Sequence, residues 1–280
     1  MQHSDRANLF SGRSPDTEVT AAAAAERRTL VRHFYDRVNL SLAGAVYARD
    51  AIFLNFGYLA DEQPRLSPIR LPAHWVNRNR MDLVLELVGG CRLAGRKVLD
   101  VGCGRGGTIT MLKHFFAAGP VWGLDLSPAA VAFCGRHHGG PDLHFVSGDA
   151  ERLPFAAGSF DLVTNVESSC LYPDIYAFYR EVDRVLAPGA RFLYTDVMPI
   201  AHRGAYLSYL QDLGLTIERD QDITGNVLLS LEMEAERLPA VQGQLGEMMD
   251  FFLAAPGSQP YTDLCAGRLS YHIWQLRKPV

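Results

Sequence analysis

The segment at residues 96–108 reads Arg-Lys-Val-Leu-Asp-Val-Gly-Cys-Gly-Arg-Gly-Gly-Thr, and it restricts the fold more than any other part of the chain. Val98-Leu99-Asp100-Val101 has the apolar character of a short buried strand. It runs directly into Gly102, Gly104, Gly106 and Gly107 before helix-like sequence resumes at Thr108. A strand that turns sharply into a helix needs residues without a Cβ at the corner. The same glycines let a ligand lie against bare backbone at the positive end of the following helix. Dinucleotide sites use G-x-G-x-x-G; here the loop is more closely packed with glycine, and Asp100 precedes it. By itself such a loop is also compatible with a simple tight turn, so the rest of the chain must decide.

Alternating strand and helix patterns follow. A helix over 108–118 ends at Gly119-Pro120, and Val121-Trp122-Gly123-Leu124-Asp125 reads as a second strand. Ser127-Pro128 caps a helix over 129–137, with a third strand at 143–146 and a fourth at 161–166. A helix over 173–186, a turn at Pro188-Gly189 and a fifth strand over 191–197 complete the run. This order predicts an α/β fold with a doubly wound, mostly parallel sheet. Upstream, Ser14-Pro15 starts a helix through residue 39, with Leu30, Phe34 and Val38 on one face. An aromatic-rich extended stretch over 52–58 and a helix over 75–87, marked by Met81, Leu85 and Val88, lead to the first strand. Downstream, helix-rich 199–214 and 225–255 flank a strand-like 215–223. The expected organisation is an N-terminal helical cover over 1–90, a Rossmann-like core over 91–200, and a helical lid with the last two strands over 201–280.

Polar residues recur where successive strands end: Asp100, Asp125, Asp149 and, on the fourth strand, Asn165. In an open parallel sheet those ends converge on one crevice where ligands bind. Asp125 has the spacing from the glycine loop that suits a ribose diol, gripped by two charge-assisted hydrogen bonds. With 27 basic and 31 acidic residues, net charge −4 and no basic stripe, a nucleic-acid partner is not expected. No apolar run reaches a membrane span, and the start lacks a signal-peptide plan, so a cytoplasmic location is expected. The scattered cysteines, Cys91, Cys103, Cys134, Cys170 and Cys265, suggest reduced thiols and no metal site.

As a set, residues 98–107, 123–127, 148–155 and 160–165, with the Arg184 to Pro188-Gly189 turn, resemble the class I S-adenosylmethionine (SAM) methyltransferases. Within that family the chain looks similar to the branch that O-methylates lipids and polyketide-like natural products, such as mycobacterial phthiotriol methyltransferases and macrolide-tailoring enzymes. Phe53-Leu54-Asn55-Phe56-Gly57-Tyr58 and Leu269-Ser270-Tyr271-His272-Ile273-Trp274 add to that likeness. The resemblance implies SAM as cofactor and S-adenosylhomocysteine as product. It assigns cofactor binding to Tyr58, Asp100, Gly102, Cys103, Gly104, Asp125, Leu126, Asp149, Ala150 and Asn165. It also implies that 55–58 help close over SAM and that a closing strand near 268–276, antiparallel to its neighbour, brings the sheet to seven.

Methyl transfer to an alcohol needs an acceptor held in line with the methyl, exclusion of water and a base for the proton. In related small-molecule methyltransferases a His follows the fourth strand, whereas this chain reads Glu167-Ser168-Ser169-Cys170-Leu171-Tyr172-Pro173. Cys170 stands at the His position, either as a base or as an inert small hydrophobe. Asp196, His202 and Tyr172 are the other catalytic candidates, and Glu167 also faces the expected site. Met233, Leu238, Leu245, Met248, Met249, Phe251, Phe252 and Leu253 suit either core packing or a lid over a small hydrophobic acceptor. The reading is a methyltransferase acting on a hydroxyl of a hydrophobic polyketide-like or lipid intermediate. C- or N-methylation of a small secondary metabolite, a SAM-retaining cyclase and a non-catalytic SAM- or lipid-binding module stay open beside it; the oligomeric state is not legible.

Overall fold

All four residues of β1 (Val98–Val101) are buried, the environment of a central strand covered on both faces. The computed structural model describes residues 19–43, 51–60, 67–237 and 247–280. Around β1 run β2 (Val121–Asp125), β3 (Leu143–Ser147), β4 (Phe160–Val166), β5 (Leu186–Pro199), β6 (Thr216–Asp222) and β7 (Leu269–Arg277). They form one seven-stranded sheet in the order β3-β2-β1-β4-β5-β7-β6. The β1–β2, β1–β4, β2–β3 and β4–β5 pairs are parallel, and β7 is antiparallel to both β5 and β6. Strand order therefore reverses between β1 and β4, and the glycine loop leaves β1 at that switch point.

The period-2 alternation of the strands divides the interior into two cores. Val98, Leu162 and Leu193 face α2 (Arg78–Val88) and α3 (Gly107–Phe116). Leu99, Val163 and Phe192 face α5 (Ile175–Val185) and α6 (Ile200–Asp212). Burial of each large apolar side chain contributes about 1.5–3 kcal/mol. The remaining helices are α1 (Ala21–Ala43), α4 (Pro128–His137), α7 (Thr224–Arg237), α8 (Glu247–Phe252) and α9 (Gln259–Cys265). As expected, Ser127 caps α4: its Oγ accepts from the Ala130 amide at 3.1 Å, with Pro128 in the first turn. None of the described helices is long and apolar enough to cross a membrane.

Several expectations change in detail. Leu30 is 48% exposed, because a strict i, i+4, i+8 row drifts around a helix of 3.6 residues per turn. The inward stripe of α1 runs instead through Val31, Phe34, Tyr35, Val38 and Leu42, and the Phe252 ring lies tilted against Phe34 with ring centroids 4.5 Å apart. The 52–58 stretch is buried and extended but joins no strand; the Tyr58 amide donates to the Asn79 carbonyl at 2.9 Å and the Leu59 amide to Asn226 at 3.1 Å. Trp75 precedes α2 and is 40% exposed. The Pro188-Gly189 turn sits inside β5 as a register shift against β4, with Gly189 at φ 75°. Ser14, Pro15, Leu238 and Leu245 lie outside the described residues.

Candidate active site

The carboxyl ends of β1, β2 and β4 open on a pocket whose floor is the glycine loop. Gly102, Gly104 and Gly106 have φ of 72°, 50° and 81°, the left-handed region where a Cβ is strained. At Gly102 a Cβ would also lie 2.2 Å from the Ser168 hydroxyl oxygen, so the close approach of β1 and β4 requires bare backbone there. Asp125 ends β2 and ties the loop down. One of its carboxylate oxygens accepts from the Gly104 amide at 2.8 Å and the other from the Ser127 amide at 2.8 Å. Burial pushes the Asp125 carboxyl up, and those two backbone donors pull it back. Each oxygen has a further lone pair for a group in the pocket.

Asp149, Ala150 and Glu151 make a second wall beyond β3. The Asp149 carboxylate accepts from the Glu151 amide at 2.9 Å and pairs with Arg28 of α1 at 2.9 Å; Arg28 also pairs with Glu151. Next to it, the Arg27 guanidinium donates to the Leu171 carbonyl at 3.3 Å. From the loop side, Arg105 lies over the Phe133 ring at 3.6 Å and donates to the Ala51 carbonyl at 2.6 Å and to Asn39 at 3.1 Å. These bonds hold α1 and the 51–54 stretch over the pocket, which Val31, Tyr35, Ile52, Phe53 and Leu54 then line.

At the end of β4 the backbone bends through Glu167, a non-glycine residue at φ 50°. Its Oε2 accepts from the Phe56 amide at 2.8 Å and from the Tyr271 hydroxyl at 2.6 Å. Burial pushes this carboxyl well above the usual range, the two donors opposing it. Tyr172 reaches the pocket from the turn after β4, its hydroxyl within 2.9 Å of Ser168 Oγ and 3.2 Å of Asn165 Nδ2.

A family model described as a methyltransferase domain matches residues 99–194. A fatty-acid O-methyltransferase of Mycolicibacterium smegmatis is 34% identical over 82% of this chain and 84% of its own length. The chain belongs to the SAM-dependent methyltransferases. A phthiotriol/phenolphthiotriol dimycocerosates methyltransferase of Mycobacterium leprae is 33% identical, covering 82% of this chain and 86% of that one. In fold, the methyltransferase is similar to a geranyl diphosphate C-methyltransferase of Streptomyces coelicolor solved with S-adenosylhomocysteine. The TM-score is 0.68 at 17% identity, over 90% of this chain and 98% of that chain.

SAM is thus the cofactor of this methyltransferase, and the pocket fits it. The glycine loop lets a ligand lie against bare backbone at the start of α3, where a helix N-terminus suits a carboxylate, and the outward lone pairs of Asp125 suit a pair of hydroxyls. Of the residues singled out in the sequence, Gly102, Cys103, Gly104, Asp125, Leu126, Asp149, Ala150 and Tyr172 line the pocket together. Asp100, Tyr58 and Asn165 do not. Asp100 is 2% exposed and its carboxylate accepts from Thr164 Oγ1 at 2.7 Å, so it joins β1 to β4 behind the wall. Asn165 bonds the Val101 carbonyl at 2.9 Å and Ser168 at 2.7 Å, bracing the same seam, and Tyr58 is packed in the core.

The catalytic candidates separate in the same way. Asp196 is fully buried on β5, accepting from Ser169 Oγ at 2.6 Å and the Cys170 amide at 3.1 Å. Cys170 is buried behind the pocket wall, and burial beside the Asp196 and Glu167 carboxylates pushes its thiol well above the ordinary value, which opposes a thiolate base. His202 rides on α6 with its ring 3.4 Å from the Tyr206 hydroxyl, away from the pocket lining. Arg28, Tyr35 and Ser168 are pocket residues that sequence reasoning passed over. Arg28 and Tyr35 sit in a helix with no motif of its own, and only its docking against α4 and over the pocket gives them a role.

Proposed function

We propose that this methyltransferase transfers the methyl group of SAM to a hydroxyl of a hydrophobic lipid or polyketide-like intermediate. One observation carries the reading: beside the cofactor region, the pocket wall joins apolar side chains, Val31, Leu54, Val166 and Leu171, to hydrogen-bonding groups, Tyr35 and Glu167. An apolar wall with a few polar groups holds a lipid-like acceptor and orients its one reactive oxygen. The relatives named for fatty-acid and phthiotriol dimycocerosate methylation support a lipid acceptor. The same reading divides the chain into a cover (1–90), a SAM-binding core (91–200) and a lid with the last strands (201–280), acting in the cytoplasm on a small molecule. Gly102, Cys103, Gly104, Asp125, Leu126, Asp149 and Ala150 form the cofactor wall in this scheme.

Calorimetric titration with SAM and S-adenosylhomocysteine, followed by mass spectrometry on a panel of hydroxylated lipids, polyketides and amines, tests it. Micromolar binding and a gain of one methylene on an alcohol are expected. Methylation of carbon or nitrogen alone, or an isomer of unchanged mass, overturns it.

A further inference from the structure

Glu167 differs from Asp125 and Asp149 in how its two oxygens are held. Both donors to its carboxylate, the Phe56 amide and the Tyr271 hydroxyl, fall on Oε2. Among the described residues nothing donates to Oε1, and the side chain lines the pocket. The carboxylate is therefore anchored by one oxygen and presents the other, on a backbone bent through φ 50° at the end of β4. Strain of this kind at a non-glycine residue is a feature of functional sites. Tyr35, descending from α1, also lines the pocket, and its hydroxyl has no partner among the described residues. Burial, with the Cys170, Asp125 and Glu167 groups nearby, pushes the Tyr35 hydroxyl well above its ordinary range, so it stays a donor in the pocket that Glu167 also lines.

We infer that Glu167 Oε1 accepts the proton of the acceptor hydroxyl and that the Tyr35 hydroxyl donates a hydrogen bond to the same acceptor oxygen. The inference rests on the proposed function and names the groups that carry it out. The acceptor oxygen forms its bond to the methyl carbon as the O–H proton passes to Glu167. The carbon–sulfur electron pair stays on sulfur, and Glu167 then returns its proton to water, leaving a methyl ether and a neutral thioether. Glu167 is a catalytic residue in this scheme, and Tyr35 orients the acceptor. The arginines of the wall are already committed, Arg28 to Asp149 and Glu151, Arg105 to Asn39 and the Ala51 carbonyl. Arg80, which faces Glu167, is paired with Glu234, so among the described residues a carboxylate acceptor would meet Glu167 with no uncommitted arginine of the lining, and the favoured acceptor is a neutral alcohol. The charged and titratable groups facing Glu167 are Tyr271 from β7, Asp196 from β5, Arg80 from α2, Tyr35 from α1 and Cys170 from the turn after β4. Burial dominates them and holds the carboxyl above its ordinary range.

The test compares wild type with E167Q, E167D and Y35F on a long-chain alcohol and on the matching fatty acid. E167Q keeps both Oε2-type acceptor contacts, so its SAM affinity by calorimetry stays within about twofold, while kcat falls about 10²–10⁴-fold. The acidic limb of the kcat profile disappears in E167Q and persists, at lower kcat, in E167D. Y35F loses about tenfold and keeps the limb. With S-adenosylhomocysteine bound, pH-difference infrared spectra of wild type show a carboxylic-acid band titrating with that limb, absent from E167Q. An E167Q enzyme with undiminished kcat, an acidic limb that survives in it, or an E167D enzyme as fast as wild type overturns the inference and leaves the proposed function standing. Wild-type protein that binds SAM but methylates only the fatty acid, or no acceptor at all, overturns both.

Discussion

Asp125 carries two jobs with one carboxylate, fixing the Gly104 and Ser127 amides and presenting its remaining lone pairs to the pocket. Asp125→Ala removes the loop's anchor and the charge-assisted bonds to the ligand together, each worth about 1.5–3 kcal/mol. Calorimetry is expected to show SAM affinity reduced by about a hundredfold or more on that scale; unchanged affinity would show that Asp125 does not hold the cofactor. Cys170 gives the opposite case. It fills a buried site, and its thiol is held protonated by burial and by neighbouring carboxylates. Cys170→Ala is therefore expected to keep kcat within about threefold and to lower stability by about 1 kcal/mol through lost packing. A complete loss of turnover with a normal melting temperature would restore the thiol as a reacting group. The same residue shows how far a motif can be read: its position was plain in the sequence, but its orientation behind the wall was not.

At the scale of elements, α1 is fastened over the pocket by Arg27 and Arg28, and Arg28 bridges it to Asp149 and Glu151. Arg28→Ala leaves two carboxylates facing the pocket without their cation, and a helix held less firmly over it. The expected result is SAM affinity weakened about tenfold and faster amide hydrogen exchange in α1, measured by mass spectrometry; exchange identical to wild type would show that the latch holds nothing. The strands carry a pH dependence. Burial raises Asp100 on β1 from 3.8 to about 7 and Asp196 on β5 from 3.8 to about 6. Between those values the folded protein keeps protons that the unfolded chain has lost, so this contribution to stability is full below about pH 4 and falls as pH rises to about 7. Asp100→Asn cannot ionise, so its stability relative to wild type should improve over that range by a few kcal/mol at most, then level off. Chemical denaturation across pH measures it, and a constant difference would remove Asp100 from the account.

For the whole molecule, the pocket draws its walls from α1, the 51–54 stretch, the glycine loop and the ends of β2, β3 and β4. Ligand binding to such a site couples distant parts of the chain. SAM at a hundred times its dissociation constant is expected to stabilise the fold by about 2.7 kcal/mol and to raise the melting temperature by a few degrees. Differential scanning calorimetry reads this directly, and a melting temperature indifferent to SAM would mean that the pocket does not bind it.

What the sequence determined by itself was the periodic and local part. Apolar runs ending in Asp125, glycines at φ that only they adopt freely, and Ser127-Pro128 at a helix start are short-range signals, each readable within a few residues. They were enough for the mostly parallel sheet and for the crevice on which its strand ends converge. Leu30, by contrast, was misplaced because a four-residue row drifts around the helix, and only what α1 packs against decides which end of the row turns inward. Only the tertiary structure decided which polar residues at the strand ends face the pocket and which brace the strands behind it. Asp100 and Asp125 look alike in the sequence. They part because Thr164 on the neighbouring strand takes one carboxylate into the seam, while the loop amides turn the other toward the crevice. Glu167 was settled in the same way: its bend through a left-handed backbone and its hold on Phe56 and Tyr271 join segments more than a hundred residues apart. Contacts at that separation leave no local pattern to read.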